Sequence, residues 1–161
     1  MLDKLLTILD EGVARRSTLQ TYYDGTQPLA FLAPEAKEAI GNRFARVATN
    51  IPRLAVSALS ERLRVTGFDG VDVWPDWLRN DMDQLAPAAH REALTFGESY
   101  VIVWADRNGA PLVTVESPAQ VAVLRDPATR QVTAAVKKWE LANSKGTAAV
   151  VYGPDKIVRY H

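Results

Sequence analysis

Gly97-Glu98-Ser99-Tyr100-Val101-Ile102-Val103-Trp104 marks the point at which the hydrophobic pattern of this 161-residue chain changes. Upstream, apolar residues recur every three or four positions, as one face of a helix requires. From Glu98 onward the pattern reads as strands and turns. Gly97 is suited to end a helix in the left-handed conformation, because it has no Cβ to clash. Ser99 to Trp104 is then a strand, Arg107-Asn108-Gly109 a hairpin turn with the Asn-Gly signal, and Leu112 to Glu116 its partner. Further strands are expected at Val121 to Leu124, Val132 to Leu141, Ala148 to Tyr152 and Lys156 to Tyr160. Turns at Asp126-Pro127-Ala128-Thr129, Asn143-Ser144-Lys145-Gly146 and Gly153-Pro154-Asp155 separate them. The expected fold class is α+β: N-terminal helices followed by an antiparallel β-meander.

Working back from Gly97, a helix is expected from Pro87 to Phe96, another from about Trp77 to Gln84, and a short strand over Arg64 to Phe68. Leu2, Leu5, Leu6, Leu9 and Val13 form one apolar stripe, which predicts a first helix from about Leu2 to Thr21, ended by Asp24-Gly25 and Pro28. Pro34 opens a second, with Glu35 and Glu38 in its first turn, running to about Leu63 with Ile51, Leu54, Ala58, Leu59 and Leu63 on one face. Pro52 removes a backbone donor, so two helices or one kinked helix are expected to meet near it, with Asn50 capping the second part. This divides the chain into a helical region, 1–68, and a helix-then-sheet region, 69–161. The run Val158 to His161 reads as the start of a strand with no cap or polar tail, so the chain is expected to be the front part of a longer one.

Nineteen basic residues balance nineteen acidic ones, which argues against a strongly basic nucleic-acid binder. The charge is uneven. Residues 1–68 carry 9 basic and 7 acidic residues, 69–98 carry 2 and 7, and 99–161 carry 8 and 5. There is no cysteine, which excludes disulfides, thiolate metal sites and Cys nucleophiles. Acidic residues within the apolar N-terminal stretch argue against a signal peptide. No run approaches the ~20 apolar residues of a membrane span.

The residues that could carry chemistry are few. His90 lies two positions from Glu92 on a helix, where side chains point in different directions and form no acid–base pair. Asp69, Asp72, Asp76, Asp81 and Asp83 invite a metal reading, but Trp74, Pro75 and Trp77 break the alternation of oxygen ligands that a calcium loop needs. They read instead as a solvated acidic loop, with Asp76 capping a helix. The glycines sit singly at turns, so no phosphate loop is present. No cofactor, metal or catalytic set is expected. Trp74, Trp77, Trp104 and Trp139 are expected in the core, Trp104 and Trp139 within apolar strands. Arg43, Arg46 and Arg53 share one helical face and form the candidate contact stripe, to DNA phosphates or to the acidic block of a neighbouring subunit.

Several segments, in order, resemble the portal proteins of tailed bacteriophages, in particular the SPP1 Gp6-like family. They are Tyr22-Tyr23-Asp24-Gly25, Asn50-Ile51-Pro52-Arg53-Leu54-Ala55-Val56 and Leu63-Arg64-Val65-Thr66-Gly67-Phe68. His90-Arg91-Glu92-Ala93-Leu94 follows, leading into Gly97–Trp104. Glu116-Ser117-Pro118, Asp126-Pro127 and Ala134-Ala135-Val136-Lys137-Lys138-Trp139 complete the series. They are structural segments rather than a catalytic signature, and they span almost the whole chain.

The resemblance implies a structural subunit, not an enzyme: the wing part of a ring, usually a dodecamer, at one vertex of the capsid. DNA is packaged and ejected through such a ring, to which the head-tail connector attaches. Implied partners are other copies of the protein and, through the full-length protein, terminase, scaffold or capsid protein and the head-tail adaptor. This portion is expected to make little direct DNA contact and no membrane contact. The implied location is the virion, with assembly in the cytoplasm of the bacterial host. Two further readings are a stand-alone binding module from a degraded prophage gene, and a nucleic-acid enzyme working through Asp81 and Asp83.

Overall fold

Leu5 and Leu9, four residues apart on the first helix, are the side chains that seat it on the sheet. Both are buried, and they pack with Ala122, Ala134, Val136, Ala149 and Val151 to form the core. The computed structural model describes residues 1–27, 35, 38, 50–142 and 146–160. Helix α1 runs Leu2–Asp24. Gly25 stops it at φ 71°, where a side chain would be strained; a Cβ there would also lie 2.9 Å from the Asn50 amide nitrogen.

Asn50 ties this end to the next helix. Its Nδ2 donates to the Tyr23 carbonyl (2.8 Å), and its Oδ1 accepts from the Arg53 amide (3.0 Å), capping α2 (Ile51–Ser60). The expected Asn50 cap is therefore present, and Pro52 sits in the first turn, where its missing N–H costs nothing. Glu35 and Glu38 have helical backbone; the remainder of the helix expected from Pro34 lies outside the described residues up to Asn50.

Two expectations in the next stretch fail. Arg64 to Phe68 is not a strand: no described strand lies alongside to form a ladder with it. The two helices before the sheet divide differently from their sequence signals. α3 is Trp74–Arg79, and α4 is Met82–Phe96 with Pro87 inside it. The break falls at Asp81, which adopts φ 52° and re-aims the chain. Asp76 does not cap the helix: the N-cap position is Val73, and no side-chain cap bond is made there. Asp72 Oδ1 accepts from the Trp74 amide (3.3 Å), whereas Asp76 lies in the first turn of α3 and pairs with Arg79. Gly97 ends α4 in the left-handed region, as expected.

The strands follow the predicted order but form two sheets rather than one meander. β1 (Tyr100–Ala105) and β2 (Pro111–Glu116) make an antiparallel hairpin, with Tyr100 opposite Glu116 and Ala105 opposite Pro111. β3 (Val121–Arg125), β4 (Val132–Glu140), β5 (Thr147–Tyr152) and β6 (Ile157–Tyr160) make a four-stranded meander. The division falls at Ser117-Pro118-Ala119-Gln120. Pro118 is fully buried and cannot donate a ladder bond, and Gln120 N closes a turn on the Ser117 carbonyl (2.9 Å). The architecture is α+β. The turn at Asn143 to Lys145 lies outside the described residues.

α1 packs across β3 and β4, where Ala122 and Ala134 allow close approach. The end of α1 also meets α2 and α4, and α4 covers β2. The outer edge of β6 has no partner among the described strands.

Candidate functional site

The Arg43, Arg46, Arg53 stripe is only partly placed, because Arg43 and Arg46 lie outside the described residues. Arg53 is exposed on α2, and its guanidinium carbon stands 5.5 Å from the centre of the Tyr23 ring, a cation–π contact within the chain. On the same helix the apolar face predicted from sequence is turned outward, with Leu54 67% exposed.

The acidic residues do not converge. Asp76 pairs with Arg79 (3.0 Å), whose guanidinium also reaches Asp106 (3.8 Å) and the Pro111 carbonyl (2.6 Å). Asp81 shapes the α3–α4 turn through its backbone, accepting from the amides of Gln84 and Leu85. Among the described residues no group of three or more His, Asp or Glu is placed to hold a metal ion, and no helix is long and apolar enough to cross a membrane.

His90 lines an apolar groove of about 480 Å³ between α4 and the hairpin, with Trp77, Met82, Ser99, Val101 and Val113. Its Nδ1 and the Ser99 hydroxyl have no hydrogen-bond partner among the described residues. Burial pushes the Glu92 carboxyl above its ordinary value, offset in part by Arg91. None of these groups is hydrogen-bonded to another, so no acid–base couple is assembled.

The polar side chains that do meet are ties between elements. At the junction of the two sheets, Lys137 Nζ on β4 donates to Glu116 Oε1 at the end of β2 (2.7 Å), which also accepts from Thr114 Oγ1 (2.8 Å). Lys137 Nζ also lies 5.8 Å from the centre of the Trp139 ring. Between α1 and the start of β1, Arg16 faces Glu98 (3.6 Å), and Tyr100 donates to Glu98 (2.9 Å). Burial, followed by that hydrogen bond and the Glu98 charge, pushes the Tyr100 hydroxyl up to about 12.

Between α3 and β2, Asn80 acts as a substitute strand. Its Oδ1 accepts from the Val113 amide (2.9 Å), and its Nδ2 donates to the Pro111 carbonyl (3.0 Å) and the Asp76 carbonyl (2.7 Å). Sequence reasoning missed all three ties. For Lys137 a signal existed: period two places it on the same face as Trp139, so a lysine there needed a buried acceptor.

Trp104 does not lie in the core as expected. It is 37% exposed and tilted over Tyr152, with ring centres 6.3 Å apart. Trp74 and Trp77 stack half-buried with Phe68 at the corner before α3. A slot of about 340 Å³ opens beside the outer strand β6, lined by Trp104, Trp139, Tyr152, Ile157 and Arg159. The described surface thus offers apolar and charged contact area rather than a centre of convergent reactive groups.

A family model described as phage portal protein, SPP1 Gp6-like, matches residues 2–161. The portal protein of Mycobacterium phage L5 is 27% identical over 180 residues, covering 94% of this chain and 37% of that protein. The portal protein of Mycobacterium phage D29 is 28% identical over 180 residues, covering 92% of this chain and 36% of that protein. The chain spans just over a third of the length of these curated relatives.

Proposed function

As the chain belongs to the SPP1 Gp6-like family of phage portal proteins, we propose that it forms part of the wing of a portal ring at one capsid vertex. Its role is structural. The regions 1–68 and 69–161 hold neighbouring subunits in place, while DNA passes through a channel built elsewhere in the ring. Partners of the whole protein are further copies of itself, capsid or scaffold protein, the terminase and the head-tail adaptor. Arg43, Arg46 and Arg53 are proposed as subunit or DNA contacts.

The observation that carries this reading is the family match along residues 2–161. Two features of the molecule support it. The buried carboxylate of Glu116 and the half-buried Lys137 join two elements rather than forming a reactive pair. Exposed apolar side chains, such as Ile51 and Leu54 on α2, Val71 before α3 and Ile157 on β6, offer surface suited to protein contact.

The placement is tested by electron microscopy of the gene product that carries this chain, decorated with an antibody fragment raised against α2. Decoration at the outer circumference of a ring is the expected result. Decoration at the channel mouth would contradict the wing assignment.

A further inference from the structure

Two surface patches have complementary chemistry. The first is the corner before and along α3. Phe68, Val71 and Leu78 expose apolar surface there, beside the exposed carboxylates of Asp69 and Asp72. Neither carboxylate takes part in an ion pair among the described residues. The second is the slot beside β6. Ile157 is 60% exposed there, Trp104 is 37% exposed, and Arg159 likewise has no ion-pair partner among the described residues.

The β1–β2 hairpin stands between these patches. Alternation along β1 sends successive side chains to opposite faces. Val101 and Val103 line the groove shared with Phe68 and Trp77, while Trp104 faces Tyr152 and the slot. The acidic corner and the cationic slot therefore lie on opposite faces of one hairpin, and a chain does not satisfy its own slot with its own corner.

We propose that the acidic apolar corner of one copy docks into the slot of a second copy. Val71 and Leu78 cover Trp104 and Ile157, and Asp69 and Asp72 approach Arg159. The apolar fill supplies affinity, and the rim charges set orientation and rate. Because the two surfaces differ, the contact is heterologous; repeated, it closes a ring when the rotation allows and extends a filament when it does not. The inference rests on the ring reading above and names the surfaces that make it. A second copy is favoured over DNA as occupant because the slot joins cations to a broad apolar floor, and the chain itself carries the matching acidic apolar half.

The chain contains no cysteine, so introduced thiols report cleanly. Asp69→Cys chains mixed with Arg159→Cys chains should form a mixed disulfide faster than either variant forms one with itself. They should also form it faster than Asp10→Cys with Arg159→Cys. In sedimentation velocity, Asp69→Lys or Arg159→Glu should each weaken self-association at least about fivefold, and the double reversal should restore it to within about twofold.

Oligomers that give no preferential mixed disulfide and ignore the charge reversals would overturn the docking while leaving the ring reading intact. Crosslinking only between two Asp69→Cys chains would also overturn it, in favour of a two-fold contact. Monomers at every concentration would overturn the docking and count against the ring reading as well.

Discussion

Lys137 on β4 and Glu116 at the end of β2 meet with Nζ and Oε1 2.7 Å apart, bridging two sheets that share no backbone ladder. Glu116 is buried, with 6% of its surface exposed. A carboxylate there is tolerated because an ammonium and the Thr114 hydroxyl satisfy it. The pair fixes how the hairpin sits against the meander, and with it the slot that opens between them.

Lys137→Met should therefore destabilise the fold by about 3 kcal/mol, because it leaves the Glu116 charge buried and unpaired. Replacing both partners, as in Glu116→Leu with Lys137→Met, should cost less than the single change. Urea unfolding of the two variants checks this; equal stability of Lys137→Met and the parent would show that Glu116 reaches water.

Asn80 holds β2 through one accepted and one donated bond. Asn80→Ala orphans the Val113 amide, while the Pro111 carbonyl keeps its bond from Arg79, and should cost about 1–2 kcal/mol. Amide exchange at Val113 should accelerate more than exchange at Val136, which lies in the other sheet.

Trp104→Ala should cost about 1–2 kcal/mol, well below the roughly 3–5 kcal/mol of a fully buried aromatic, because over a third of its surface is already in water. Thermal or urea unfolding distinguishes the two values. The larger one would place Trp104 in the core after all.

Acid should weaken the loops before the sheet does. Asp106 is held below its ordinary value chiefly by the amides of Ala110 and Asn108, and Asp126 by those of Thr129 and Ala128. For a carboxylate whose folded value is lowered, the stabilisation is fully present above the unfolded value. It is lost as pH falls through the folded one. The melting temperature should thus decline below about pH 4, and the decline should be shallower in Asp106→Asn with Asp126→Asn. An unchanged slope would mean that these bonds do not depend on the charge.

The strand half of the molecule was legible because each turn carries a local reason: Gly97 ending α4, Gly109 at φ 79° in the hairpin loop, Gly153 and Pro154 before β6. The boundary at Asn50 was legible for the same reason. What was not legible depended on distant partners. Arg64 to Phe68 has strand-like composition but no neighbour. Pro87 looks like a helix start, yet it lies within α4, because the true break is the left-handed Asp81. One meander became two sheets because Pro118 is buried at the crossing, and burial is not written in its local sequence. Of the candidate contact residues, only Arg53 is placed among the described residues, and its partner is Tyr23. The Glu116–Lys137 tie joins positions 21 apart in different sheets, so only the register of the whole fold reveals it.

The most direct measurement is the mass of the gene product that carries this chain, taken particle by particle in solution and paired with electron microscopy of the same sample. The account predicts a single closed assembly of many identical subunits around a central channel. A population that stays monomeric as concentration rises, with no ring in the images, would contradict it.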